Sequence, residues 1–491
     1  MPKSAKIIVM LHIPSRKEEA KEVKPFTLDD VLDFLALTLN ESKIFDDEQD
    51  VKDKEEGKNI PVRVAAAKKI GRFLMGDLVT DGGVKCPNPE AVWQAYLKAD
   101  TDSEKEEQYA YTLSLINLLR TIHDALSKSE QDGTRALQMD RFTKANEEFN
   151  EIPDSALASS LLARLTTDDN GEPTQFAEKL KNLGLKVDQI TDNKLEERLK
   201  KIESIKEPID EWFDNKYPEV TSVFDKARKE QSPEHPTMLE SEKVFDLYEQ
   251  ALAKLKATDS QWSDWEVELV EDKDLLLVNC REKKIKVGKK RRAMTINEAE
   301  GLFRHEVLVH ALRSINGAKL GPDFKDFELG LVGYLFTEEG LGVLVEYAEN
   351  GEEALEKPYD RYTDIALALG LITDSPIPKD VLYDILMARE KDRAKKAGKE
   401  FDEESARKKL RPHINRIYRG SEGDDVVGVF TKDIAYFGGF IKIAEYILDR
   451  IEKGDRINVI MKYILSGKFD PTNEIHTNAL EKAQKVNSNL I

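Results

Sequence analysis

The sequence predicts an α+β fold, mostly α-helical, with one small antiparallel sheet. Three observations point to it. Helical spacing dominates residues 61–260, three short strand-like runs follow Trp262, and a helix with clear start and stop signals comes directly after them.

At 491 residues the chain exceeds one ordinary core, so two or three domains are expected. Shifts in texture divide it into a mainly helical N-terminal region without an assigned role (1–120), a helical lead-in (121–260), the segment with the chemistry (261–470) and a C-terminal tail (471–491). With 40% hydrophobic and 34% charged residues, it reads as a soluble globular protein. No apolar run approaches the roughly 18 residues that a membrane span needs, so no membrane partner is expected. A net charge of −19 argues against the concentrated basic surface that phosphates require, which removes nucleic acid from the expected partners. The two cysteines, Cys86 and Cys280, lie far apart, which excludes a disulfide framework and favours a cytoplasmic location. Oligomeric state is not legible.

The N-terminal apolar patch in MPKSAKIIVMLHIP lacks a full signal-peptide core and cleavage site, and reads as a buried strand. TLDDVLDFLALTLNES follows as a helix with Thr27 at its N-cap, and the charge run Asp46–Asn59 reads as a solvated loop. VRVAAAKKIGRFLMGDLV, YAYTLSLINLLRTIHDALS and NKLEERLKKIESI all have helical spacing. From Trp262 the texture changes. WEVELV alternates, placing Trp265, Val267 and Leu269 on one face; LLLVNC and KIKVG are two further short runs, and together they read as an antiparallel meander. The basic run Lys283–Arg292 reads as an edge strand kept soluble by its lysines. The charged stretch Arg389–Arg411 reads as a solvated helix.

The helix after the meander holds the chemistry. Thr295 and Glu298 form a capping-box signature, and Asn316-Gly317 supplies a stop. Between them lies His305-Glu306-Val307-Leu308-Val309-His310. Composition alone predicts on the order of 0.01 occurrences of His-Glu-x-x-x-His. Zinc peptidases commonly use His-Glu-x-x-His, whose spacing of four keeps both imidazoles on one face. Five residues on a regular helix turn the imidazoles about 140° apart. Binding of one zinc ion by His305 and His310 therefore demands an overwound or bulged helix near Val307–Val309, and a π-bulge absorbs one extra residue. Glu306 then stands as the catalytic base of a hydrolase.

A hydrolytic zinc keeps three protein ligands and an open position. FELGLVGYLFTEEGLGVLVEYAE is apolar almost all round and reads as a buried helix interrupted by Glu338 and Glu339. Neighbours on a helix point about 100° apart, so only one of the two easily reaches the ion. Periodicity does not decide between them; the other suits a partner for a histidine.

Three blocks give the chain a family likeness: HEVLVHALRSINGAKL from His305, TEEGLG from Thr337, and RIYRGSEGDDVVGVFTKDIAYFGGFIKI from Arg416. Over about residues 205–465 the chain resembles the zinc peptidases of the DUF1704 family, which includes the microtubule-associated tyrosine carboxypeptidases. The second block stands where that family has QEGLA; Glu338 replaces the glutamine and Gly342 the alanine, while Glu339-Gly340-Leu341 is kept. The resemblance implies a gluzincin-like helix pair with His305, His310 and Glu339 as zinc ligands and Glu306 as base. It further implies a peptidase of carboxypeptidase type acting on a peptide or protein C-terminus. An endopeptidase or amidohydrolase with the same site, or a regulatory binding protein without activity, are the alternatives. Tyr436, Arg419 and Lys432 are candidate oxyanion donors, and Arg416, Arg419 and Lys432 are candidate cations for a terminal carboxylate.

Overall fold

The computed structural model describes residues 151–418 and 429–486 apart from short internal gaps, with Asn146, Asn150 and four residues near the start. Those four form a two-residue antiparallel pair, β1 (Val51–Lys52) and β2 (Asn59–Ile60), within and at the end of the charge run that reads as loop. The N-terminal strand and the helices expected before residue 146 lie outside the described residues.

The lead-in is helical, as its spacing predicts: α1 (Ser155–Thr166), α2 (Gln175–Asn182), α3 (Leu195–Glu203), α4 (Lys206–Lys216), α5 (Pro218–Lys229) and α6 (Ser241–Thr258). Three strands follow, β3 (Glu266–Val270), β4 (Leu276–Asn279) and β5 (Lys284–Gly288). Next come α7 (Ile296–Phe303), a π-helical segment (Arg304–Ala311), α8 (Leu312–Ala318), the short α9 (Asp326–Leu329) and α10 (Tyr334–Asn350). The rest is α11 (Glu356–Ala368), α12 (Lys379–Lys396), α13 (Glu403–Ile417), α14 (Ile434–Glu452), α15 (Ile457–Ile464) and α16 (Glu474–Val486). The mostly helical α+β class holds. Among the described residues no helix is long and apolar enough to cross a membrane.

The sheet is mixed rather than an antiparallel meander. Its order is β3-β5-β4, with β3 parallel to β5 and β4 antiparallel to it. Period-two alternation fixes which face a residue occupies, not which strand lies beside it. The basic run therefore starts on the central strand, not on an edge. Its lysines are neutralised locally: Lys283 pairs with Asp264 at 2.9 Å, Lys284 with Glu268 at 3.0 Å, and Lys289 with Glu271. Ile285 and Val287 of β5 are fully buried and tie the sheet to the helical core.

One connected cluster of buried apolar side chains runs from Leu157 to Leu465, and a smaller one joins Phe327, Leu331, Phe469 and Leu480. At its centre α10 crosses α14 with almost no space between backbones. A Cβ built on Gly340 would lie 2.1 Å from the carbonyl carbon of Gly439, so both positions must be glycine at this crossing. α10 also packs against the π segment. That segment is anchored by its first residue: Arg304 donates to Asp210 and, at 2.8 Å, to Asp214 on α4, and at 2.6 Å to Glu300 on α7.

Two local expectations are corrected. Gly317 does not end its helix in a left-handed turn. Helix α8 continues to Ala318, and the glycine lets the backbone of Phe327 approach, since a Cβ would lie 2.0 Å from its carbonyl oxygen. The stretch Arg389–Arg411 is not one solvated helix. It is split between α12 and α13, and Arg389 is buried, with a two-pronged ion pair to Asp364 at 2.6 and 2.9 Å.

Candidate metal centre

The capping box is formed in both directions: the Glu298 N–H donates to Thr295 Oγ1 at 3.1 Å, and the Thr295 N–H to Glu298 Oε2 at 2.9 Å. Nine residues after Thr295 the helix has changed its winding. The whole of Arg304–Ala311 is π-helical, a wider change than the one-residue bulge and looser rather than overwound. A π turn closes between residues five apart, so His305 and His310 fall on one face. Their ring centroids are 4.8 Å apart.

α10 lies across this face. Glu339 Oε2 is 3.7 Å from His305 Nε2 and 3.8 Å from His310 Nε2. Among the described residues, His305, His310 and Glu339 are the one group of three or more metal-ligating side chains with its atoms drawn together, all within 4.8 Å. Donors bound to one tetrahedral zinc at about 2.0–2.1 Å would lie roughly 3.3 Å apart. The two carboxylate–imidazole distances need about half an ångström of closure, the histidine pair, bounded by 4.8 Å, up to about 1.5 Å, and two imidazoles with one carboxylate suit such an ion.

The outward nitrogens are already assigned. His305 Nδ1 meets Glu346 Oε1, and His310 Nδ1 lies 2.9 Å from Glu338 Oε1. This leaves both Nε2 atoms toward Glu339 and fixes the rings in the manner of carboxylate–histidine–metal chains. Glu338 is 3% exposed and held by two further cations, Arg313 Nη1 at 2.6 Å and Lys468 Nζ at 3.0 Å. Burial opposes its ionisation, but Lys468 and Arg313 hold the carboxyl well below the usual range. Arg313, fully buried, also donates to the carbonyls of Gly467 and Phe469. Geometry separates the two glutamates: Glu339 faces both Nε2 atoms and Glu338 faces an Nδ1.

Glu306 lies beside the group, and its Oε2 accepts the Val278 N–H of β4 at 3.0 Å. Burial pushes its carboxyl above the ordinary range, against the pull of His310 and His305. Gly342, one turn beyond Glu338, makes room for the site. A Cβ there would stand 2.3 Å from His305 Nε2.

The third block approaches from α14. Tyr436 is partly buried in its first turn, and its ring lies under the Arg361 guanidinium, with Cζ 4.6 Å from the centroid. Burial and the Glu339 charge push its phenol up. Arg416 gives Nε and Nη2 to Asp433, the latter at 2.9 Å. The Lys432 charge acts on Glu339. Arg419, Asp424 and Asp425 lie outside the described residues.

Sequence reasoning missed Glu346, Arg313, Lys468, Arg361 and the Val278 N–H. Glu346 had a signal, because it follows Glu339 by seven residues, two turns along one helix face. Lys468 and Val278 had none, since their roles depend on chain that returns from elsewhere.

Residues 219–354 match the family model described as microtubule-associated tyrosine carboxypeptidase, formerly DUF1704. The matched stretch contains both histidines, Glu306 and Glu339 but not the third block. No curated protein and no solved structure matches the chain.

Proposed function

We propose that this chain is a zinc-dependent carboxypeptidase that removes a C-terminal residue from a peptide or protein. The observation behind this reading is the convergence of His305 Nε2, His310 Nε2 and a Glu339 carboxylate oxygen, with Glu306 alongside. The matching family's name supports the exopeptidase direction. His305, His310 and Glu339 would hold the ion. When bound, zinc supplies Lewis acidity, polarising a carbonyl and making water acidic near neutral pH.

The remaining work falls to the chain. Val278 pins one oxygen of Glu306. The other is the proposed acceptor of the attacking water's proton, which it returns to the leaving amine. Tyr436, kept protonated by burial, is a donor for the developing oxyanion. Lys432 and Arg419 are the cations proposed for the substrate, and Arg416, held by Asp433, positions the start of α14. We place the protein in a reducing compartment such as the cytoplasm, on its cysteine usage. A net charge of −19 opposes acidic substrates unless cations gather at the site.

Incubation with a peptide library randomised at its last positions, read by mass spectrometry, tests this. Stepwise loss of single C-terminal residues is expected; internal cleavage would overturn the carboxypeptidase assignment.

A further inference from the structure

A carboxypeptidase must hold its substrate's terminal carboxylate, and Arg416 already gives two donors to Asp433. Three other cations border the metal-ligating group. Arg361 covers the Tyr436 ring. Lys357 stands one turn earlier on the same face of α11. Arg291, in the connection from β5 to α7, buries its Nε without a hydrogen-bond partner. Among the described residues, none of the three has a carboxylate at ion-pair distance, whereas Arg228, Arg304, Arg389 and Arg393 all do.

These cations sit close to one another and to the site. Burial first, then the charges of Arg292, Arg291 and Arg361, press the Lys357 ammonium below its ordinary range. Arg292 itself is paired with Glu298. Glu346, the partner of His305, opposes this effect, Glu298 also feels the Lys357 charge, and Glu339 acts on the Tyr436 ring beneath Arg361. In a chain of net charge −19, three cations beside a buried site, none with a carboxylate at ion-pair distance among the described residues, form a place suited to an anion.

We propose that Arg361, assisted by Lys357 and Arg291, binds the terminal α-carboxylate of the peptide substrate, with the Tyr436 ring holding the guanidinium in plane. The planar fork of Arg361 matches a carboxylate at two points, and the ring face favours the cation above it. The proposal rests on the carboxypeptidase reading.

The test measures binding, so that it stands apart from turnover. Zinc-loaded Glu306→Gln protein is titrated with dansyl-Gly-Gly-Gly-Gly-Tyr as the free acid and as the C-terminal amide. The acid should bind at least about tenfold more tightly. Arg361→Gln in that background should abolish the preference while leaving zinc content and amide affinity unchanged. Arg361→Lys, which keeps the charge but not the fork, should retain part of it, and Lys357→Gln should weaken it a few-fold. No preference in the parent, or an undiminished one in Arg361→Gln, overturns the subsite. If the preference exists and depends on Arg361 while the wild-type chain shortens no peptide, the carboxypeptidase reading fails and the carboxylate subsite stands.

Discussion

His310 Nδ1 lies 2.9 Å from Glu338 Oε1, while the next residue, Glu339, faces the Nε2 atoms of both histidines. Two adjacent carboxylates on one helix thereby serve opposite sides of the same imidazole. Glu338→Gln keeps the shape but removes the charge. Zinc affinity should fall about 10–100-fold, the range for partners of metal-bound histidines. Arg313 and Lys468 would be left buried beside a neutral amide, so unfolding stability should fall by about 3–5 kcal/mol. Competition titration against a zinc chelator and denaturant melts read the two effects separately.

Gly342 sets how closely α10 can approach the His305 ring. A methyl group there would stand 2.3 Å from Nε2, the atom assigned to the metal. Gly342→Ala should displace the ring, lower zinc affinity at least about tenfold and cost about 1–3 kcal/mol through overpacking. Unchanged zinc binding would show that the ring has another seat.

Glu306→Gln should retain zinc and the fold while reducing peptide turnover by about 10²–10⁴, the share of a positioned general base. Retained turnover would remove Glu306 from that role. Metal content measured on the same sample excludes loss of the ion as the cause.

Behind the π segment, Glu349 shares Arg228 and Arg304 with Glu300, and Asp210 and Asp214 add further negative charge. Burial first, and then the Glu300 carboxylate, push Glu349 up to about 7, against Arg304 and Arg228. A raised carboxyl binds more protons folded than unfolded, so its stabilising effect is complete below the ordinary value of 4.5 and is lost as pH rises toward about 7. The effect is on the order of 3 kcal/mol at most. Melting temperatures of wild type and Glu349→Gln between pH 4.5 and 8 check the sign. The wild type should decline relative to the variant across that window.

Much of this centre was legible because its chemistry is local. The five-residue spacing of His305 and His310 demanded a departure from α-helical winding, and Arg304–Ala311 departs from it. The extent of that change was not legible, since it depends on how α10 and β4 press on the segment. The strands were visible from alternation, but the parallel pairing of β3 with β5 was not, because alternation does not name a neighbour. Glu338 and Glu339 were both visible, and only the arrival of Arg313 and Lys468 from other parts of the chain separates their tasks. Arg416 could be singled out from its block, yet its engagement by Asp433 shows only in three dimensions.

In the proposed function His305, His310 and Glu339 hold one zinc ion across a π-helical turn. X-ray absorption at the zinc edge of the purified chain, with metal content measured on the same sample, tests it most directly. The expected result is about one zinc per chain in a shell of two imidazole nitrogens and carboxylate or water oxygens at about 2.0–2.2 Å, lost in His310→Ala. Absence of stoichiometric zinc, or a shell containing the sulfur of Cys280, would contradict it.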